Sequence, residues 1–141
     1  MRRTVLRRVI LAPAFLLAAF AAGCGDDNTS TVTPIPPVQV SETFSGTVTV
    51  NGAFSHSFVV DRAGQVAAQI TGLTPDETVT IGLALGTWNG SACQLIITND
   101  AAKLSTVMLG TASGPGMLCV RLSDVGQLTS ATNYDVRVDH Y

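Results

Sequence analysis

Charge, aromatic rings and histidine are all scarce in this chain of 141 residues: 13% of residues are charged, 6% are aromatic, and there are two histidines and one tryptophan. Each scarcity excludes something. Arg2, Arg3, Arg7 and Arg8 hold half of the positive charge. Beyond residue 23 only Arg62, Lys103, Arg121 and Arg137 stand against ten acidic residues, a formal charge of −6. No basic patch is left there to neutralise phosphates, so nucleic acid is not an expected partner. A hydrolytic triad needs a nucleophile held beside a base. There is no G-x-S-x-G, and "GTASGPG" places its serine in a turn. His56 falls on the Phe54/Phe58 face of its segment as a packed histidine, and His140 is the penultimate residue, at a terminus expected to fray. No enzymatic activity is read from this inventory.

Metal and cofactor motifs are missing as well. Cys24, Cys93 and Cys119 contain no C-x-x-C and have no clustered histidines, a poor basis for zinc. The oxygen donors Asp76-Glu77, Asn99-Asp100 and Asp124 lack the dense Asp-x-Asp spacing of a calcium loop and read as turn formers. Phosphate-cradling glycine loops need a strand-to-helix junction, and none is present. No cofactor and no metal are expected.

No apolar run reaches the roughly 20 residues that span a bilayer as a helix. Val9 to Phe20 is shorter, is interrupted by Pro13 and follows the four arginines, which is the layout of a secretory signal. The run ends in Ala21-Ala22-Gly23-Cys24. This resembles the bacterial lipobox, although Ala21 stands where leucine is usual. The resemblance implies cleavage before Cys24, a diacylglycerol on its thiol and an acyl chain such as palmitate on its freed amine. Several acyl chains anchor stably, since each buried CH₂ contributes about 0.8 kcal/mol and one chain alone is marginal. Residue 25 is Gly rather than Asp, which directs the expectation to the outer membrane or cell surface and away from the inner membrane. Ordinary secretory cleavage and a retained anchor stand as alternatives.

With Cys24 lipidated, Cys93 and Cys119 are an even pair in an oxidising compartment and are expected to form a disulfide. Residues 1–23 are thus the lipoprotein signal peptide. Residues 24–42, with Pro34, Pro36 and Pro37 among Thr, Ser and Asp, read as the lipidated N-terminus and a flexible linker. Residues 43–141 are the folded domain.

From Thr43 onward the apolar positions alternate. Val66, Ala68 and Ile70 are set against Gln65, Ala67 and Gln69, and Val79, Ile81, Leu83 and Leu85 against Thr78, Thr80, Gly82 and Ala84. Period two marks strands with one buried face. Asn51-Gly52 suits a type I′ hairpin turn between its flanking segments. "GLTPDE" and "TWNGS" read as bends, "NDAAK" as a polar loop, and "DVGQLTSAT" as a loop. About eight short strands with Gly, Pro, Asn and Asp punctuation predict an all-β sandwich or barrel. Trp88 is set in the turn "GTWNGSAC". It is expected either to stack on a sugar ring or anchor a partner, or to cap the sandwich beside Cys93.

The opening "FSGTVTV", the mid-domain G-x-W-x-G with a cysteine after it, the "ND" of "LIITND" and the late "CVRLSD" follow one another in an order that resembles the bacterial pre-peptidase C-terminal (PPC-like) domain, and more closely small exported lipoproteins carrying one such domain. The likeness spans Phe44 to Tyr141. It implies a jelly-roll-like β-sandwich that assists secretion or stability, or binds matrix or polysaccharide. The expectation is therefore a lipid-anchored, non-enzymatic envelope protein with a binding or structural sandwich, glycan being one ligand class. Trp88, Asn89, Asp76 and Glu77 are the candidate ligand-binding residues. The alternative is an accessory protein that binds a secreted protease or another envelope protein.

Overall fold

A computed structural model describes residues 37–141. The signal segment, Cys24 and most of the linker lie outside the described residues. Eight strands follow: β1 (Val40–Val48), β2 (Ala53–Val60), β3 (Gly64–Thr74), β4 (Ile81–Trp88), β5 (Cys93–Ala102), β6 (Val107–Ala112), β7 (Gly116–Ser123) and β8 (Thr132–His140). The sandwich starts at Val40 rather than Thr43, because Val40, Ser41 and Glu42 already pair with His140, Asp139 and Val138.

The strands form two antiparallel four-stranded sheets, ordered β1-β8-β3-β6 and β2-β7-β4-β5. Only β4 and β5 are both consecutive in sequence and neighbours in a sheet; every other connection crosses to the opposite sheet. That strand order is the jelly roll.

Alternation along each strand builds the core. Val66, Ala68 and Ile70 of β3, Val120 and Leu122 of β7, and Tyr134, Val136 and Val138 of β8 all point between the sheets and are buried. β4 departs from the pattern, since Ile81 to Gly86 are buried on both faces. Its inward positions are Ile81, Leu83 and Leu85. Its outward positions are the small Gly82, Ala84 and Gly86, and the longer Arg121 and Thr98 face Ala84 from either side.

The type I′ hairpin expected at Asn51-Gly52 does not form. That turn needs positive φ at both central residues. Here Asn51 takes φ 58° and Gly52 does not join it. The Gly52 N–H donates to the Thr49 carbonyl at 2.8 Å, closing a turn that carries the chain from the β1 sheet to the β2 sheet. The Asn51 N–H donates to Asp124 Oδ2 at 2.8 Å. The Asp124 N–H donates to the Gly52 carbonyl at 2.9 Å. The dipeptide specifies that the chain turns; the partner strands are chosen by the core.

Three boundaries also differ from the sequence reading. Gly72 to Thr74 continue β3 past a bulge between Ile70 and Gly72. Thr87 and Trp88 complete β4 rather than starting the turn, and Asn99 to Ala102 complete β5 rather than forming a polar loop. In each case cross-strand pairing outweighs the turn preference of Gly, Asn or Asp.

Candidate functional site

The four candidate ligand residues do not form one site. Asp76 and Glu77 precede β4, and Trp88 and Asn89 end it. Strand rise is about 3.3 Å per residue, so the length of β4 separates the pairs by roughly 23 Å. Two of the four are also engaged. Asp76 Oδ1 accepts from the Thr78 N–H at 2.8 Å and the Thr78 hydroxyl at 2.7 Å. The hydroxyl bond, then the backbone bond, hold its carboxyl below the usual range. Asn89 Oδ1 accepts from the Ser91 N–H at 3.0 Å, the Ser91 hydroxyl at 3.1 Å and the Ala92 N–H at 2.8 Å. Both are turn formers of the Asx kind.

Asp124 behaves similarly. Besides the Asn51 N–H, its carboxylate accepts the N–H groups of Gly126, Gln127 and Leu128 at 2.8, 2.9 and 3.1 Å, and these bonds lower its pKa. Among the described residues no three His, Cys, Asp or Glu side chains gather as a metal site.

Trp88 is partly buried and faces Cys93 across the β4–β5 pair. Cys93 is bonded to Cys119 of β7, with Cα atoms 5.7 Å apart. β5 and β7 flank β4 on opposite sides, and in a flat sheet strands two apart lie about 9.6 Å from each other. The start of β5 therefore lies over β4. Gly86 allows it: a Cβ there would sit 2.1 Å from the Gln94 carbonyl oxygen. The disulfide staples this fold-back, with the extra residue Ile96 taken up as a bulge.

Both histidines lie on the opposite side of the sandwich, along the seam between edge strands β1 and β2. Phe54, His56, Phe44, Phe58 and His140 follow one another with ring centroids 4.9, 5.0, 6.3 and 5.2 Å apart. His56 Nε2 lies 2.9 Å from the Tyr134 hydroxyl. Burial pushes the Tyr134 phenol up to about 12 and the His56 imidazole below its ordinary value. His140 does not fray with the terminus. It is 3% exposed, pairs with Val40 and meets Glu42 Oε1 at 2.9 Å. The Tyr141 carbonyl accepts the Asp61 N–H at 3.0 Å, which fastens the chain end to the β2–β3 turn. These rings close the seam.

The other seam stays open. β5 and β6 are edge strands on the same side of the sandwich, and between them lies a cavity of about 50 Å³ lined by Val66, Leu85, Gly110 and Leu118 under Ile96 and Ile97. A larger depression, of about 280 Å³, continues past Ile96, Thr111 and Pro115 to Met117. Ile96 is 70% exposed, and Leu95, Ile97, Val107 and Leu109 are also exposed. β5 carries no Lys and no Pro, two of the usual guards of a free edge. In sequence, "CQLIIT" reads simply as a strand. The signal of an unusual strand is the unbroken Leu95-Ile96-Ile97, which departs from alternation. Such a run fits a strand buried on both faces as well as an exposed edge.

No protein-family model matches the chain, and no curated protein matches it.

Proposed function

We propose that this chain is an exported, lipid-anchored protein of the bacterial cell envelope whose sandwich is a non-enzymatic binding module. Its β5–β6 seam receives an apolar segment of a partner protein. The observation that carries the reading is the open apolar seam with Ile96 at its lip. Water-exposed apolar side chains beside a small apolar cavity favour an extended segment that inserts one side chain and lies along the free β6 edge. The bulges in β5 limit continuous pairing there, so side-chain burial rather than a long ladder supplies the affinity. The lipobox-like Ala21-Ala22-Gly23-Cys24 supports export and anchoring, and the motif order from Phe44 to Tyr141 supports a PPC-like module. This makes the accessory, protein-binding role the favoured one over glycan, because Asp76 and Asn89 are occupied within their own turns.

A photo-crosslinking residue placed at Ile96 in living cells is expected to capture a discrete protein adduct that the same residue at Ser57 does not. The adduct is expected to vanish with Leu109→Asp while the melting temperature holds. Equal adducts from both positions, or retention on insoluble polysaccharide that Trp88→Ala abolishes, would overturn the protein-partner reading. Mass analysis of the N-terminal peptide from membranes checks the acyl chains on Cys24.

A further inference from the structure

We infer that the end of the sandwich where the chain enters rests on the lipid surface, through an apolar row on the outer face of the β2-β7-β4-β5 sheet. The inference rests on the reading of Cys24 as the anchor. Antiparallel pairing puts the start of β1, the ends of β2 and β4, and the starts of β5 and β7 at one end of the sandwich. On β2, Phe58 and Val60 point into the core, so Val59 points out; it faces Met117 of β7. Thr87 faces Leu118, and one further step in register sets Trp88 opposite Met117. Leu95 lies beyond, opposite Gly86. Val59, Met117 and Trp88 thus form a cross-strand row that ends at Cys93, with Leu95 two residues further along β5 on the same face; Val59, Met117 and Leu95 are about half exposed. At the same end Val38, two residues before the sandwich, and Val40, its first residue, are exposed too.

Three features select a bilayer as the occupant. First, residues 24–39 are the whole connection between the anchor and β1. Sixteen residues reach at most about 53–58 Å even when fully extended, so the sandwich stays close to the surface. Tethering of this kind raises the effective concentration of the surface to the order of millimolar, enough to populate a contact that would be negligible for the free domain. Second, charge permits it. On the four strands of this sheet the one carboxylate is Asp100, towards the far end, and at the seated end the nearest is Asp61, just past β2, so the row itself carries no charge that repels anionic headgroups. The outer face of the other sheet differs: there Ser41 and Ser45 meet Asp139 and Asp135, and Arg137 meets Asp139 and Gln69. Third, the row ends on tryptophan, whose amphipathic ring favours the headgroup region. The seated sandwich leaves the long β5–β6 seam facing sideways.

Trp88 is the sole tryptophan, so the chain reports its own position. The mature protein is purified in detergent and reconstituted into phosphatidylethanolamine–phosphatidylglycerol vesicles, with or without acyl chains brominated near the headgroup. Seating predicts that brominated lipid quenches Trp88. Val59→Asp and Met117→Asp are expected to restore the emission, with the protein still floating with the vesicles and melting unchanged. Unquenched Trp88 in protein that floats with the vesicles overturns the inference. So does quenching that survives both substitutions. Failure of the anchor is read separately, by the mass of the Cys24 peptide. If that peptide is unacylated, Cys24 is coupled to a maleimide lipid and the same quenching comparison decides.

Discussion

Breaking the Cys93–Cys119 bond should cost the folded chain about 3.5 kcal/mol. The cysteines are 26 positions apart. In the chain-entropy account a loop of that size removes about 12 cal/mol/K from the unfolded ensemble, which gives that figure at 25 °C. Against a typical domain stability of about 5–15 kcal/mol the loss is large. The comparison is oxidised against dithiothreitol-reduced protein, which leaves every core atom in place and creates no cavity at the fully buried Cys119. Urea unfolding followed by far-UV circular dichroism, with a slope of about 1–3 kcal/mol/M, should show the midpoint falling by about 1–3 M. A shift equivalent to less than about 1 kcal/mol would refute the unfolded-state argument. A loss well above 5 kcal/mol would refute it in the other direction. It would mean that the fold-back of β5 over Gly86 collapses without the staple, so that native packing dominates. Amide exchange across residues 89–97 separates these outcomes, since a collapsed fold-back exchanges there first.

Gly86→Ala is expected to lower the melting temperature. Its Cβ would meet the Gln94 carbonyl oxygen at 2.1 Å, a backbone atom that cannot swing aside. Overpacking of this kind costs about 1–3 kcal/mol, or roughly 5–20 °C for a domain of this size. Gly114→Ala, where a Cβ meets nothing within 4 Å, is the neutral control. Stability should also fall as pH drops below about 6.5. Burial lowers the His56 pKa in the folded state, so the unfolded chain binds the proton more readily. The loss levels off once the pH is below the folded value. His56→Gln should flatten that part of the profile in chemical denaturation at a series of pH values. Tyr134→Phe removes the hydroxyl 2.9 Å from His56 Nε2 and should cost about 1 kcal/mol by the same measurement.

Local patterns carried much of the fold. Val66, Ala68 and Ile70 announced a half-buried strand and are buried as the alternation required. Cys93 and Cys119 were an even pair and are bonded. Asn51-Gly52 marked a turn correctly and a hairpin wrongly, because backbone chemistry acts over three or four residues while pairing acts across the sheet. The candidate ligand set failed for a related reason. Asp76 and Trp88 are 12 positions apart in sequence, and an extended strand turns that modest separation into the full length of β4.

What the sequence determined by itself was the all-β class, the number of strands, the turns to within a few residues and the pairing of two cysteines. All of these depend on side-chain period, on turn preferences or on counting. The tertiary structure alone decided which strands became edges. Leu95, Ile96 and Ile97 would be core residues in a central strand; the jelly-roll order makes β5 the last strand of its sheet and turns them towards solvent. It also set Val59, Met117 and Trp88 side by side from three separate strands. Neighbourhood of that kind comes from long-range closure, and no single stretch of the chain contains it.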